Sequence, residues 1–297
     1  LRDLLRSGVV PHAELTTIKR QNPGALLTHI HEVKAGRWTP VANSKDGDLF
    51  VLPATGEALA LQAIVDLYLD RLPKLLLAQD AQALAEGKAV LSPADPLQDI
   101  QILLPWRQKR TLCTETVNTE VQRRRVAAGA VRMVGKWPLG VGDKVIQTRN
   151  DYQVGIVNGD IGTVLAIEQS ESAVTGRVEW VYTVQFVGYE RPHRVPAVGT
   201  KMELAYAITI HKSQGSQFPA VILPAVGTQS GFYDRALFYT GLSRASKLAV
   251  LVGEQSGLAK VISRVQPENR RTSLEAMLRA PRPVGPDDDA GDAGEKD

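Results

Sequence analysis

The sequence has little of what would mark a disulfide-stapled, zinc-bound or membrane-spanning protein. There is one cysteine, Cys113, among 297 residues, so no intramolecular disulfide can form, and this usage fits a reducing compartment. That thiol and five scattered histidines offer no zinc-type spacing. The longest apolar runs, such as Leu75–Ala78 and Ala220–Val226, fall far short of the ~20 residues that a membrane-spanning helix needs. No charged start, apolar stretch and cleavage site mark a signal peptide. The first residue is Leu1 and not methionine, so a piece of a longer protein is expected.

What is present is a packable chain with lopsided charge. Hydrophobic residues make up 43% and charged residues 23%, enough for about two domains, or one domain carrying an insertion. Residues 281–297 hold six acids and two bases, leaving 33 bases against 26 acids elsewhere. Between Trp106 and Lys136 there are eight bases and two acids. A basic body suits a polyanionic partner; a solvated basic face would look the same.

Periodicity divides the chain into two kinds of region. One turn around Leu1, Leu4 and Leu5 is amphipathic, a helix is expected from Pro23 to Lys34, and Asp48–Leu52 reads as a short strand. Leu61, Ile64, Val65, Tyr68 and Leu69 fall at helical spacing within Gly56–Leu72, which Pro73 should end. A further helix is expected over Leu75–Glu86. Thr114 opens another, through Val117 and Val121 to Arg123–Arg125. Asp99–Leu104, Ala220–Val226 and Lys247–Val252 read as strands of a parallel sheet covered on both faces. Helices are expected at Tyr233–Ser243, Glu254–Val265 and Thr272–Arg279. Between Gly142 and Val195 the pattern is different. Alternating strands at Lys144–Thr148, Gly162–Ile167 and Trp180–Val187 are punctuated by Asn150-Asp151, Asn158-Gly159 and a polar loop from Glu168 to Thr175, which predicts a small antiparallel barrel. The expected organisation is an α/β lobe over 1–139 and 199–280, a barrel inserted at 140–198, and a disordered acidic tail at 281–297.

Two segments carry most of the chemistry. Thr209-Ile-His-Lys-Ser-Gln-Gly-Ser-Gln217 sets a compact group of hydrogen-bonding residues between apolar stretches, with Gly215 allowing close backbone approach. Such polar groups at the edge of a parallel sheet are where α/β proteins bind ligands. In Phe238-Tyr-Thr-Gly-Leu-Ser-Arg-Ala-Ser246, Arg244 ends a helix just before a strand. An arginine there serves as a partner for the helix dipole, or reaches a phosphate with its planar fork.

These two segments resemble motifs V and VI of superfamily 1 helicases, specifically the RecD/TraA-like 5′-to-3′ DNA helicases. Thr17-Ile-Lys-Arg-Gln21 resembles motif IV. Leu103-Leu-Pro-Trp-Arg107 with Thr114–Asn118 resembles the motif that follows it. Gly142-Asp-Lys-Val-Ile-Gln-Thr-Arg-Asn-Asp-Tyr152 with Val157-Asn-Gly-Asp-Ile-Gly162 resembles the family's inserted Src-homology-3-like barrel. The resemblance implies a RecA-like parallel sheet flanked by helices, the second lobe of a P-loop NTPase, with an inserted small β-barrel.

It also implies roles for particular residues. Arg20 and Arg244 would be catalytic, contacting the γ-phosphate across an inter-lobe cleft. Gln21, Gly215 and Gln217 would lie against the nucleotide; the family usually has Glu where Gln217 stands. Pro105, Trp106, Arg107, Asn118, Thr209, His211, Lys212 and Ser213 would line the path of single-stranded DNA, with Asn150 and Asn158 on barrel turns. Lys19 and Cys113 depart from the family pattern, which often has an apolar residue and a glycine there. No G-x-x-x-x-G-K-[ST] loop occurs in the sequence. ATP with Mg²⁺ is the implied cofactor, and its P-loop and metal ligands are expected on an N-terminal RecA-like lobe before Leu1; no metal site is expected in this chain. The implied partners are single-stranded DNA and that lobe, with no membrane and a cytoplasmic setting. A DNA-binding or scaffold remnant of such a helicase, and the helicase part of a conjugative relaxase, are the rival readings.

Overall fold

The computed structural model describes residues 2–13, 21, 23–45, 47–87, 89–90, 93–125, 131–134, 137–152, 155–171, 176–197, 201–226, 231–265 and 272–280. In chain order these form α1 (Arg2–Ser7), α2 (Ala25–Lys34), β1 (Leu49–Leu52), α3 (Gly56–Asp66), α4 (Leu72–Ala85), α5 (Pro96–Asp99), β2 (Ile100–Leu104) and α6 (Thr114–Arg125). Next come β3 (Val131–Val134), β4 (Trp137–Gly140), β5 (Lys144–Gln147), β6 (Ile161–Glu171), β7 (Val178–Phe186), β8 (His193–Pro196) and β9 (Met202–Leu204). The chain continues through β10 (Ala207–Thr209), β11 (Phe218–Ala225), α7 (Arg235–Leu242), β12 (Ala245–Gly253), α8 (Gln255–Ser263) and α9 (Leu274–Arg279). It divides into two units. The described residues 2–13 and 272–280 make a small one in which α1 packs on α9; the described residues between 21 and 265 make the other. The tail at 281–297 lies outside the described residues.

In the larger unit, β1, β12, β11, β2 and β10 lie side by side in that order, each neighbouring pair parallel. All five residues of β2 are buried, as a strand covered on both faces requires. Ile100, Ile102, Leu104, Ile222 and Val250 pack with Ile64, Val65, Tyr68, Val117 and Val121 on one face, each aliphatic side chain contributing about 1.5–3 kcal/mol on burial. On α7, a Cβ at Gly241 would stand 2.8 Å from the Leu223 side chain, so glycine permits the close approach of this helix to β11. The register puts Thr209 beside Leu104 and Ala220 beside Ile100. The loop from Ile210 to Gln217 therefore runs from the C-terminal end of the sheet back to its N-terminal end.

Pro73 does not end its helix. A π-helical turn, Leu67–Arg71, leads from α3 straight into α4, with Pro73 in the first turn of α4. The Leu72 N–H bonds back to Leu67 O, five residues away. This wider turn gives the ring room, and the stretch continues without the one backbone hydrogen bond that proline cannot donate.

The second sheet is antiparallel, in the order β8-β7-β6-β5-β9. Val145, Ile156, Val164, Tyr182, Val184, Phe186 and Met202 fill its core. The stretch expected as a polar loop is partly strand: Glu168–Glu171 pair with Val178–Val181. Polar side chains suit a ribbon standing in solvent, so composition hides its strand character. Met202–Leu204, from beyond the expected insertion, pairs with β5.

The two sheets meet at a buried polar junction. Lys144 Nζ donates to the carbonyls of Gln98 (3.3 Å) and Ile100 (3.0 Å), and burial lowers its pKa to about 7. Asp143 accepts from Tyr206 Oη (2.7 Å), Gln122 Nε2 (2.5 Å) and the Gly140 N–H (2.6 Å); burial raises its pKa despite these donors. Among the described residues, no helix is long and apolar enough to cross a membrane.

Candidate nucleic-acid and nucleotide interface

The C-terminal end of the parallel sheet collects most of the residues expected to meet a strand. Trp106 follows β2 and is half-buried. It packs edge-to-face on Tyr233 at 5.7 Å, and the Arg110 guanidinium sits 4.1 Å from its ring centroid. Glu57 holds that guanidinium, accepting from Arg110 Nε at 2.8 Å while its other oxygen takes the Leu112 N–H at 3.1 Å. Burial works to raise the Glu57 pKa, but the hydrogen bond from Arg110 leads the groups that keep it below the usual value. Pro105 is buried. Arg107 is exposed, and its Nη2 lies 3.0 Å from Glu203 Oε1. The other oxygen of Glu203 is 2.8 Å from Lys212 Nζ, so one carboxylate on the barrel bridges two cations of the lobe.

Thr209 Oγ1 accepts the Lys212 N–H at 3.2 Å and fixes the start of this turn. His211 is exposed, its ring 5.9 Å from Phe232. His211 and Lys212 line a cleft together with Asn158, Asp160 and, further along the same loop, Ser216. Asn150 Oδ1 accepts the Asn158 N–H at 2.8 Å, and its amide donates to Tyr152 Oη, which joins the two barrel turns.

Two residues expected on the strand path turn inward. Asn118 Nδ2 donates to Leu204 O (3.1 Å) and Ala207 O (2.9 Å), and its Oδ1 accepts the Ala207 N–H (2.7 Å). The whole amide is engaged in joining α6 to the segment between β9 and β10. Ser213 is fully buried and donates to Ile210 O at 2.7 Å; it shapes the turn.

At the N-terminal end of the sheet, Arg244 leaves α7. Its guanidinium donates from Nη1 to Ser216 O at 3.0 Å and from Nε to Thr240 O at 3.2 Å. The backbone beside it is clamped by Gln21, whose Nε2 donates to Ser243 O (3.1 Å) and Ala245 O (2.8 Å). Gln21 is only 7% exposed, and its buried Oε1 has no hydrogen-bond partner among the described residues. Arg20, the other expected catalytic arginine, lies outside the described residues, as does Lys19. Gly215 has φ +93° with nothing within 4 Å of where a Cβ would stand; only glycine adopts that backbone at little cost. Gln217 is exposed. The segments around Gln21, Ser216 and Arg244, far apart in sequence, thus share one hydrogen-bonded cluster.

Sequence reasoning missed Glu203 and the second role of Gln21. Nothing in a three-residue strand singles out its glutamate; two cations at the ends of two other elements were the available hint.

A parallel sheet carrying these loops at its two ends, with an antiparallel sheet between β2 and β10 in the chain, is the α/β fold with an inserted small β unit expected from the sequence. Residues 204–252 match the UvrD-like helicase C-terminal domain, and residues 117–179 match the ATP-dependent RecD-like DNA helicase SH3 domain. The chain is 32% identical to the RecBCD enzyme subunit RecD of Mycolicibacterium smegmatis over 162 residues, 54% of this chain and 26% of that one. It is 31% identical to the ATP-dependent RecD2 DNA helicase of Deinococcus radiodurans over 185 residues, 61% of this chain and 24% of that one. With the conjugal transfer protein TraA of Rhizobium radiobacter it shares 26% identity over 278 residues, 90% of this chain and 22% of that one. The resemblance to RecD/TraA-like superfamily 1 helicases drawn from the motifs is borne out. The matched stretches span about a quarter of the length of these relatives.

Proposed function

We propose that this chain is the C-terminal motor lobe of an ATP-dependent 5′-to-3′ DNA helicase, with the parallel sheet and its helices forming the lobe and the antiparallel sheet of β5 to β9 its inserted barrel. The observation that carries the reading is the joining of Gln21, Ser216 and Arg244 at one end of the sheet, while Arg107, His211 and Lys212 collect at the other. The first end suits a nucleotide held between two lobes. Arg244 would stabilise the charge that develops on the γ-phosphate, with Arg20 as its companion. Backbone oxygens and Gln21 fix the orientation of Arg244 in advance, so little ordering is left for the moment of reaction. The open backbone at Gly215 and the exposed Gln217 fit a nucleotide sugar nearby. The second end suits the backbone of single-stranded DNA, held through non-specific polar contacts.

The residues present would complete an ATP site and not build one. Phosphoryl transfer needs a phosphate cradle, a metal ligand and a positioned water. The sequence has no G-x-x-x-x-G-K-[ST] loop to serve as that cradle. An upstream RecA-like lobe would supply these groups. ATP turnover of this chain with and without that lobe tests the reading. Alone it should bind single-stranded DNA weakly and hydrolyse ATP at background; joined to the lobe it should show DNA-stimulated turnover. Robust hydrolysis by the isolated chain would overturn the proposal.

A further inference from the structure

We infer that Glu203 occupies the seat of a nucleic-acid backbone phosphate, and that a bound strand displaces it from Arg107 and Lys212. This rests on the reading of the chain as a strand-binding lobe. The two carboxylate oxygens of Glu203 are divided between the two cations, at 3.0 Å and 2.8 Å, as the non-bridging oxygens of a phosphodiester would be. The cations come from the lobe, one from the turn after β2 and one from the turn after β10; the carboxylate comes from β9 of the barrel sheet. A second acid, Glu115, lies 3.7 Å from Arg107 Nε, farther than a hydrogen bond allows.

Exposure decides how tightly the seat is held. The Arg107 and Lys212 side chains are 48% and 34% exposed. Glu203 is 24% exposed, so solvent and salt reach both pairs mainly from the cation side and weaken them. A phosphodiester competes well against such a carboxylate, because strand binding also releases condensed counterions. Directly beside the three charges is a small cavity of about 170 Å³, where Leu204, Ala207 and Ile208 line one part and Thr114, Asn118 and Gln122 another. It gives the sugar or base next to the seated phosphate a surface to bury. In the absence of a strand, Glu203 keeps the two cations pre-arranged and partly neutralised.

The test is fluorescence anisotropy of a labelled oligothymidylate with this chain over a series of salt concentrations. Glu203→Gln keeps the shape and removes the charge. It should tighten binding about three- to tenfold at low salt, and Glu203→Ala should do the same. The gain should vanish when Arg107→Ala and Lys212→Ala are already present. Asp70→Asn, which removes the same charge from an exposed pair with Lys74 elsewhere on the surface, should give a much smaller gain. The inference is overturned if Glu203→Gln binds no tighter than the parent, or if Asp70→Asn matches it, while the two cation variants still weaken binding. If the cation variants leave affinity unchanged, the strand-binding reading fails at these residues and takes the inference with it.

Discussion

Arg244 and Arg107 stand at opposite ends of one parallel sheet and are held in opposite ways. Arg244 is half-buried, and its guanidinium donates to backbone oxygens at Ser216 and Thr240, beside a chain segment clamped by the buried Gln21. Carbonyls of packed elements do not move away, so its direction is fixed. Arg107 is exposed and held by a carboxylate that it shares with Lys212. That arrangement keeps a cation near its place but lets it change partners. The first suits a group that must meet a small developing charge in one geometry. The second suits contacts that form and break as a strand moves past.

The difference can be broken at its rigid end first. Arg244→Ala, in protein joined to the upstream lobe, should cut ATP turnover by about 10³-fold or more, the range for arginine fingers. Arg244→Lys should restore little, since an ammonium cannot reproduce the fork. Gln21→Ala should cost less, up to about 10²-fold, because it loosens the position of Arg244 without removing it; kcat should fall more than KM for ATP rises. At the exchangeable end the effects are smaller. Arg107→Ala and Lys212→Ala combined should lower the slope of log affinity against log salt by about 0.7 for the one lost phosphate seat, as titrations at several salt concentrations would show.

The smallest functional effect should come from the junction between the sheets. Lys144 has its pKa lowered from the usual 10.5 to about 7 by burial, against the opposing charges of Asp95 and Asp99. Between those values the unfolded chain binds the proton and the folded chain does not. Stability from this group is therefore full above pH ~10.5 and is lost as pH falls through about 7. Lys144→Met should flatten this part of the pH dependence of the urea midpoint, while turnover and strand affinity at neutral pH stay near parental values.

How much of this was legible in the sequence depended on whether a residue's environment was local. Ile100–Leu104 and Phe218–Ala225 announce themselves, because strands buried on both faces leave room for few polar residues. Motif spacing brought forward Arg244, Thr209 and His211. Pro73 misled because the π-helical turn that absorbs it leaves no compositional mark. Glu168–Glu171 misled because its polarity is that of an exposed ribbon. Lys144 and Asp143 look like solvated charges; only the meeting of two sheets buries them. Asn118 and Ser213 sit in the right motifs, yet their polar atoms serve the backbone, which no spacing reveals.

The separation of the two ends is tested most directly by measuring each variant at the other's task. In protein joined to the upstream lobe, the affinity of Arg244→Ala for single-stranded DNA should equal that of the parent. The doubly substituted Arg107→Ala, Lys212→Ala protein should hydrolyse ATP at close to the parental rate once DNA is saturating. If Arg244→Ala weakens strand binding as much as the double substitution does, the two ends of the sheet do not divide nucleotide from strand, and the assignment is contradicted.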